Sequence, residues 1–529
     1  MTTLQDRMKQ GKDARKKCTR SAHATTGKMS RDPIPLIKAS SQGRVASLVE
    51  LRYGRMLVSP FTFFRGNALL QAHDLSSTEN MGLVGPICGD AHLMNFGGFA
   101  TPERNLLFSV NDFDEAHPGP WEWDVKRLAA SFVVAARDLR HGESVEEEVC
   151  RQMVGAYQAT MLECAEQSAL ETWYESIKYE DLLDQARKSA LEHVQRAVDK
   201  AERRTHAELL PKISERDANG RLVIRDDLPE IFHLHKNTTL LDADDDWLRL
   251  ADWRPLFDTF MRDYRTTLQA DRRELLSRFH VQDLAFKVVG VGSVGTRCLV
   301  ALLTDDQEFP LFLQFKEARR SVLADYVKAK SRLRHEGQRV VEGQRLMQSA
   351  SDLFLGWTTG PRGRHFYVRQ LRDMKISAEL ENFDAETFAA YARVCGRALA
   401  RAHAKASGNA AVISGYIGKG DALADALFKY ARSYTAQNER DFERFSAGLP
   451  QGPAAGTFGS RFRRGSLALT RCRAFAVEMN FSSLPPYDQH GTVRSLIQET
   501  TVRPRSPAGF FLPGVCCGND PRGLFFPAP

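Results

Sequence analysis

Apolar positions along the chain fall into two alternating patterns. Over residues 43–57, Val45, Leu48, Leu51 and Met56 recur at near-helical spacing, and Ser59-Pro60 predicts the end of that helix. An apolar run from Val125 to Val134 predicts a helix from Asp124 to about Leu139. Residues 144–210 read as strongly helical, with Val154, Tyr157, Met161 and Leu162 on one face and charges opposite. Asn219-Gly220 predicts a hairpin turn. Helix resumes between about 245 and 279, with Trp247, Leu250, Leu256, Phe260 and Tyr264. At 284 the pattern changes to strand, glycine-rich turn and strand (284–303), then a third strand at 311–316. A long helix over 323–350, a strand over 366–371 and a helix over 385–405, with Phe388, Tyr391, Val394 and Leu399 inward, complete the reading.

The two ends lack such periodicity. Residues 1–42 are rich in Lys, Ser and Thr and predict a disordered basic arm, carrying Lys9, Lys12, Arg15, Lys16, Lys17 and Arg20. Residues 447–529 contain no lysine but ten of the 22 prolines, and predict an irregular or disordered tail, or a sequence unrelated to the rest such as a shifted reading frame. Between them the chain divides into a helical lobe (43–283), a glycine-loop β lobe (284–372) and helices returning to the first lobe (373–446).

At 529 residues, 43% hydrophobic and 26% charged, the composition is globular. A net charge of +7 is too mild to argue for a nucleic-acid binder. The nine cysteines form no C-x-x-C pair, which suits free thiols in a reducing compartment. Neither a signal peptide nor an apolar run of membrane length is visible, so a cytoplasmic protein is expected.

Candidate chemistry concentrates in residues 86–124. Gly89-Asp90-x-His92-x-x-Asn95 sets an acid and an amide on one loop; a strand, Leu106 to Val110, then delivers Asp112. Phosphoryl transfer from a nucleotide needs such parts: a carboxylate for the nucleophile's proton, and an amide oxygen and second carboxylate holding magnesium on the phosphates. Asp90 is therefore the catalytic candidate, and Asn95 and Asp112 are the metal ligands. Asp124, at a helix start, reads as a structural acid, and His92 as a loop-packing residue. Asp114 is a further candidate, and Arg65, after Phe61-Thr-Phe-Phe, suits a phosphate or carboxylate.

The second cluster is Gly290-Val-Gly292-Ser293-Val-Gly295. A dinucleotide-binding glycine loop opens a helix, whereas this one precedes a strand, the arrangement in which kinases cover ATP phosphates. Lys316 on the next strand would grip phosphate, oriented by Glu342 or Glu336 on the following helix.

Arg52-Tyr-Gly-Arg-Met, Ser59-Pro-Phe-Thr-Phe-Phe-Arg-Gly, Cys88-Gly-Asp-Ala-His-Leu-Met-Asn-Phe-Gly, Asn111-Asp-Phe-Asp-Glu-Ala, Lys287-Val-Val-Gly-Val-Gly-Ser-Val-Gly-Thr-Arg, Val340-Val-Glu-Gly-Gln-Arg and Gly396-Arg-Ala-Leu-Ala-Arg-Ala-His-Ala resemble the bacterial family called domain of unknown function 2252, over roughly 43–446. The catalytic-loop motif is also similar to that of aminoglycoside and choline phosphotransferases, with Cys88 where those usually have His. Kinases run glycine loop first and catalytic loop later; here the order is reversed. The resemblance implies an α+β, protein-kinase-like two-lobed fold, circularly permuted, using ATP and Mg2+ on an unknown small-molecule acceptor. An AMP-transferring enzyme, a nucleotide-binding regulator without turnover, and a basic protein contacting nucleic acid through residues 1–20 are the alternatives.

Overall fold

The computed structural model describes residues 2–185, 205–233, 253–371 and 374–448, with a few isolated positions between 195 and 203. The expected tail, apart from residues 447 and 448, lies outside the described residues, as do Trp247 and Leu250. The described body is a mixed α+β structure with several antiparallel sheets.

A helical core forms around the helix Trp121–Asp138, whose residues are buried from Trp121 through Ala136. Helices Glu143–Glu166, Ala385–Ser407 and Ala422–Gly448 pack beside it. Gly396 allows close approach: a Cβ there would lie 2.2 Å from the Met153 carbonyl. Phe132 meets Phe388 with ring centroids 5.5 Å apart. Asp384 caps its helix by accepting from the Thr387 N–H at 2.7 Å.

Strand β1 (Val84–Ile87) pairs with β4 (His117–Pro120). Between them, β2 (Phe96–Ala100) and β3 (Leu106–Val110) form a hairpin, extended by β5 (Ile177–Lys178) and by β14 (Ile376–Ser377). The hairpin expected at Asn219-Gly220 joins β6 (Ser214–Arg216) to β7 (Leu222–Ile224), with Gly220 at φ +76°. A six-stranded antiparallel sheet contains β8 (Ile231–Phe232), β9 (His280–Lys287), β10 (Cys298–Thr304), β11 (Pro310–Glu317), β12 (Gly356–Thr359) and β13 (His365–Gln370), in the order β12-β13-β11-β10-β9-β8. Strand alternation sorts its faces. Phe315 meets Phe257 and Tyr264 of the helix Arg254–Thr266 at 5.1 and 6.0 Å. Lys316 pairs across the strands with Tyr367, and Gln314 with Arg369.

Three expectations are corrected. The basic arm is ordered: helices Leu4–Ala14 and Pro33–Ser41 form within it. Thr3 and Asp6 make a reciprocal cap. Arg7, Arg15 and Arg20 donate to carbonyls of Gly408, Tyr416 and Ile417, so part of the basic cluster caps helix ends. The helix expected over 323–350 spans only Glu336–Met347, with His335 as its cap. Glu115 anchors the preceding stretch, where its side chain accepts from the Val322 N–H at 2.7 Å and its carbonyl from Ser321 Oγ at 2.9 Å. The helix before Ser59-Pro60 ends at Met56, as expected, and a new one, Pro60–Arg65, starts there with Ser59 as cap and Pro60 in its first turn. The helical stretch expected over 144–210 is interrupted by β5.

Candidate functional site

The loop Cys88–Asn95 leaves β1 through Gly89, at φ +81°. A Cβ there would meet the Glu115 carbonyl at 2.4 Å, so both conformation and space call for glycine. One face of the helix Trp121–Asp138 holds this loop. Asp124 accepts from the Cys88 and Gly89 N–H groups at 2.8 and 2.9 Å. Arg127 Nε donates to Asp90 Oδ1 at 2.8 Å, and Ser131 Oγ accepts from the Leu93 N–H at 3.0 Å. Positions 124, 127 and 131 repeat at helical spacing, which places all three toward the loop. Asn95 Nδ2 closes the loop by donating to the Asp90 carbonyl at 2.8 Å.

Asp124 belongs to the support of the loop. Besides the two N–H groups, its Oδ2 lies 3.1 Å from His403 Nε2, and His403 Nδ1 lies 2.9 Å from Tyr157 OH. Arg127 is equally occupied, donating also to Gln71 Oε1 and the Phe64 carbonyl at 2.9 and 2.8 Å. Asp90 keeps a side chain 21% exposed. Burial raises its pKa; Arg127 opposes the rise, and the nearby Asp112 carboxylate adds to it. His92 Nε2 is 3.9 Å from Asp90 Oδ2, beyond hydrogen-bonding distance, and its buried Nδ1 has no partner.

The second acid pair follows β3. Asn111 N–H donates to the Asn95 carbonyl at 2.8 Å, binding the two acid loops together. Asp112 Oδ1 accepts from the Asp114 N–H at 3.1 Å, a tight Asx turn. The Asp114 carboxylate is ion-paired with Lys316 Nζ and accepts from Tyr367 OH at 2.8 Å. Burial pushes Asp114 up, but Lys316 and Tyr367 outweigh it and hold the group below its usual range. Burial likewise pulls Lys316 down, while Asp114, Tyr367 and Asp112 hold it well above its ordinary value. Asp112 therefore influences both Asp90 and Lys316.

Lys316 thus has a different partner from either expected glutamate. Glu336 pairs with Arg339 at 2.5 Å, and Glu342 is half-buried with no bond to Lys316. Arg339 in turn donates to the Asp114 carbonyl at 2.9 Å, so this helix positions the acid loop through its arginine.

The glycine turn spans residues 288–297 between β9 and β10, with Gly290 and Gly295 at φ +68° and +84°. Ser293 Oγ lies 3.5 Å from Asp114 Oδ2, bringing the turn over the acid loop. Gly292 sits against Arg65: a Cβ on it would lie 3.4 Å from the Arg65 carbonyl. Arg55 donates to the Gly290 carbonyl at 2.6 Å and Arg44 to that of Val294 at 2.7 Å. The 44–66 segment therefore lies beside the loop. Its spaced arginines were the available sequence signal, as the 124/127/131 spacing was for Arg127.

The match to a family model runs over residues 44–448 and carries the description "Uncharacterized protein conserved in bacteria (DUF2252)". The chain belongs to this family. The glycine turn, both acid loops and Lys316 all lie within the matched family region. No curated protein and no solved structure matches the chain. Among the described residues no helix is long and apolar enough to cross a membrane.

Nor do the described residues contain a ready group of three His, Cys, Asp or Glu for a metal. The expected ligands Asp112 and Asn95 carry oxygen donors, on loops joined through the Asn111 N–H and the Asn95 carbonyl. That chemistry fits magnesium, which takes few protein ligands and completes its shell with water and phosphate oxygens.

Proposed function

We propose that the chain is an ATP- and magnesium-dependent phosphotransferase acting on a small-molecule acceptor, built on a kinase-like fold in circularly permuted order. The observation that carries this reading is the Lys316–Asp114 ion pair, which joins segments 202 residues apart. It sets the glycine turn and its lysine strand against the acid–amide–acid loops, the combination phosphoryl transfer needs. Permutation also requires that the helix preceding a kinase catalytic loop end beside the strand that enters it. The helix Ala385–Ser407 meets this condition: a Cβ on Gly85 of β1 would lie 3.1 Å from Ser407 Cβ, and His403 reaches Asp124.

In this reading Asp90 accepts the proton of an acceptor hydroxyl through the carboxylate oxygen that Arg127 leaves free. The hydroxyl oxygen forms a bond to the γ-phosphorus of ATP as the bond to the β–γ bridging oxygen breaks, and ADP departs. Lys316 and the backbone of residues 290–295 hold the phosphates. Asn95 and Asp112 would hold magnesium, which supplies neutralisation of phosphate charge when bound.

Thermal melting with ATP and magnesium tests the reading. A ligand bound only by the folded state raises the melting temperature. The expected result is a rise in the wild type that shrinks in both Lys316→Met and Asp112→Asn. Product mass after incubation with candidate hydroxyl acceptors separates phosphate transfer from AMP transfer. Absence of any rise at millimolar ATP would defeat the proposal.

A further inference from the structure

Arg65 occupies an unusual place in this site. It ends the helix Pro60–Arg65, and its carbonyl abuts Gly292 of the glycine turn. Its side chain is half-buried, and Nε is shut away from solvent with no hydrogen-bond partner. Its electrostatic neighbours are Asp90 and His92 of the catalytic-loop candidate. The other site cations are engaged: Lys316 by Asp114, Arg127 by Asp90, Gln71 and Phe64, and Arg369 by Gln314. Phe61 flanks the guanidinium, with 5.7 Å from its carbon to the ring centre, and makes no hydrogen bond to it. The buried Nδ1 of His92 also lacks a partner. Two buried nitrogens without partners thus lie among the residues around the proposed base. A guanidinium whose Nε is buried without a hydrogen-bonded acceptor is costly, and it is well shaped to take two oxygens of a planar or tetrahedral oxyanion.

We propose that Arg65, with His92, binds an oxyanion carried by the acceptor, so that the substrate is a hydroxyl compound bearing a carboxylate or a phosphate. This rests on the phosphotransferase reading for the word acceptor; the oxyanion site itself stands on the geometry. The site is separate from the grip of Lys316 on the nucleotide: Lys316 is ion-paired with Asp114, whereas Arg65 makes no ion pair among the described residues and lies against Gly292 and Phe61. Binding there would set the acceptor's anionic end and leave its hydroxyl for the free oxygen of Asp90.

The test is calorimetric titration of the full chain with inorganic phosphate and, separately, with acetate. It uses wild type, Arg65→Gln, Arg65→Lys and Lys316→Gln, with and without magnesium and a non-hydrolysable ATP analogue. The expected result is binding of at least one anion that persists with the analogue present. It weakens about tenfold or more in Arg65→Gln, recovers in part in Arg65→Lys and is retained in Lys316→Gln. Preference for phosphate or acetate tells which oxyanion the acceptor carries. Arg65→Gln should also melt no lower than wild type, because it removes a cation whose buried Nε has no acceptor; a purely structural arginine would lower the melting temperature. No binding of either anion, binding indifferent to Arg65→Gln, or binding displaced by the analogue and lost in Lys316→Gln would overturn the assignment. If the analogue fails to bind while Arg65-dependent anion binding survives, the oxyanion site stands and the phosphotransferase reading falls.

Discussion

His403 Nε2 lies 3.1 Å from Asp124 Oδ2, and both side chains are 1% exposed. The same carboxylate holds the N–H groups of Cys88 and Gly89, so one buried acid joins the end of one helix, the start of another and the loop that carries Asp90. Asp124→Ala would leave two backbone donors and an imidazole without their acceptor. We expect a loss of about 3–5 kcal/mol in urea unfolding. His403→Ala should cost less, since the two N–H groups keep their partner. Equal losses would contradict this division of labour.

Asp90 and Arg127 should separate chemistry from stability. Asp90→Asn leaves Arg127 its bonds to Gln71 and Phe64. Transfer should fall about 10²–10⁴-fold, as for loss of a general base, with little change in melting temperature. Arg127→Met removes the donor to three acceptors at once and should lower stability by about 3 kcal/mol. The check is steady-state transfer beside thermal melting of both variants.

Gly89→Ala places a methyl where the Glu115 carbonyl stands 2.4 Å away, on a residue at φ +81°. The loop must shift, and Asp90 shifts with it. A stability loss of at least about 2 kcal/mol is expected from the left-handed conformation and the collision together. Reduced transfer should accompany it; an Ala variant with wild-type melting and activity would show that the loop has a different conformation.

Glu122 supplies the pH dependence. It is 3% exposed; burial raises its pKa to about 7 from 4.5, opposed by its bond from the Met81 N–H and by Lys126. Between those two values the folded chain keeps a proton that the unfolded chain has released. The contribution to stability is therefore complete below the unfolded value and is lost as pH rises through about 7. Relative to Glu122→Gln, the wild type should lose about 3 kcal/mol between pH 4.5 and pH 8. Chemical unfolding of both proteins across that range measures it; parallel pH profiles would refute it.

Much of the site was legible in local spacing. The glycine turn between strands follows from the short apolar runs on both sides of the glycines, and the helix at Asp124 from its apolar run. What stayed hidden were partners distant in sequence. Lys316 invited a glutamate from the next helix, yet Asp114 answers it from 202 residues earlier. Residues 323–335 carry helix-compatible spacing, but Glu115 captures the Ser321-Val322 backbone and side-chain groups and the helix begins later. The first forty residues looked disordered because their composition is polar, and polarity says nothing about carbonyls waiting elsewhere.

Those carbonyls have a consequence for biosynthesis. Arg15 Nε bonds the carbonyl of Tyr416, 401 residues further along. A chain emerging from the ribosome exposes its N-terminal helix long before the surface that receives it exists, whereas folding during synthesis ordinarily favours early segments. The helix Leu4–Ala14 thus waits for Ala410–Ile417 before it can dock, and a truncation before residue 410 would strand it together with its row of cations.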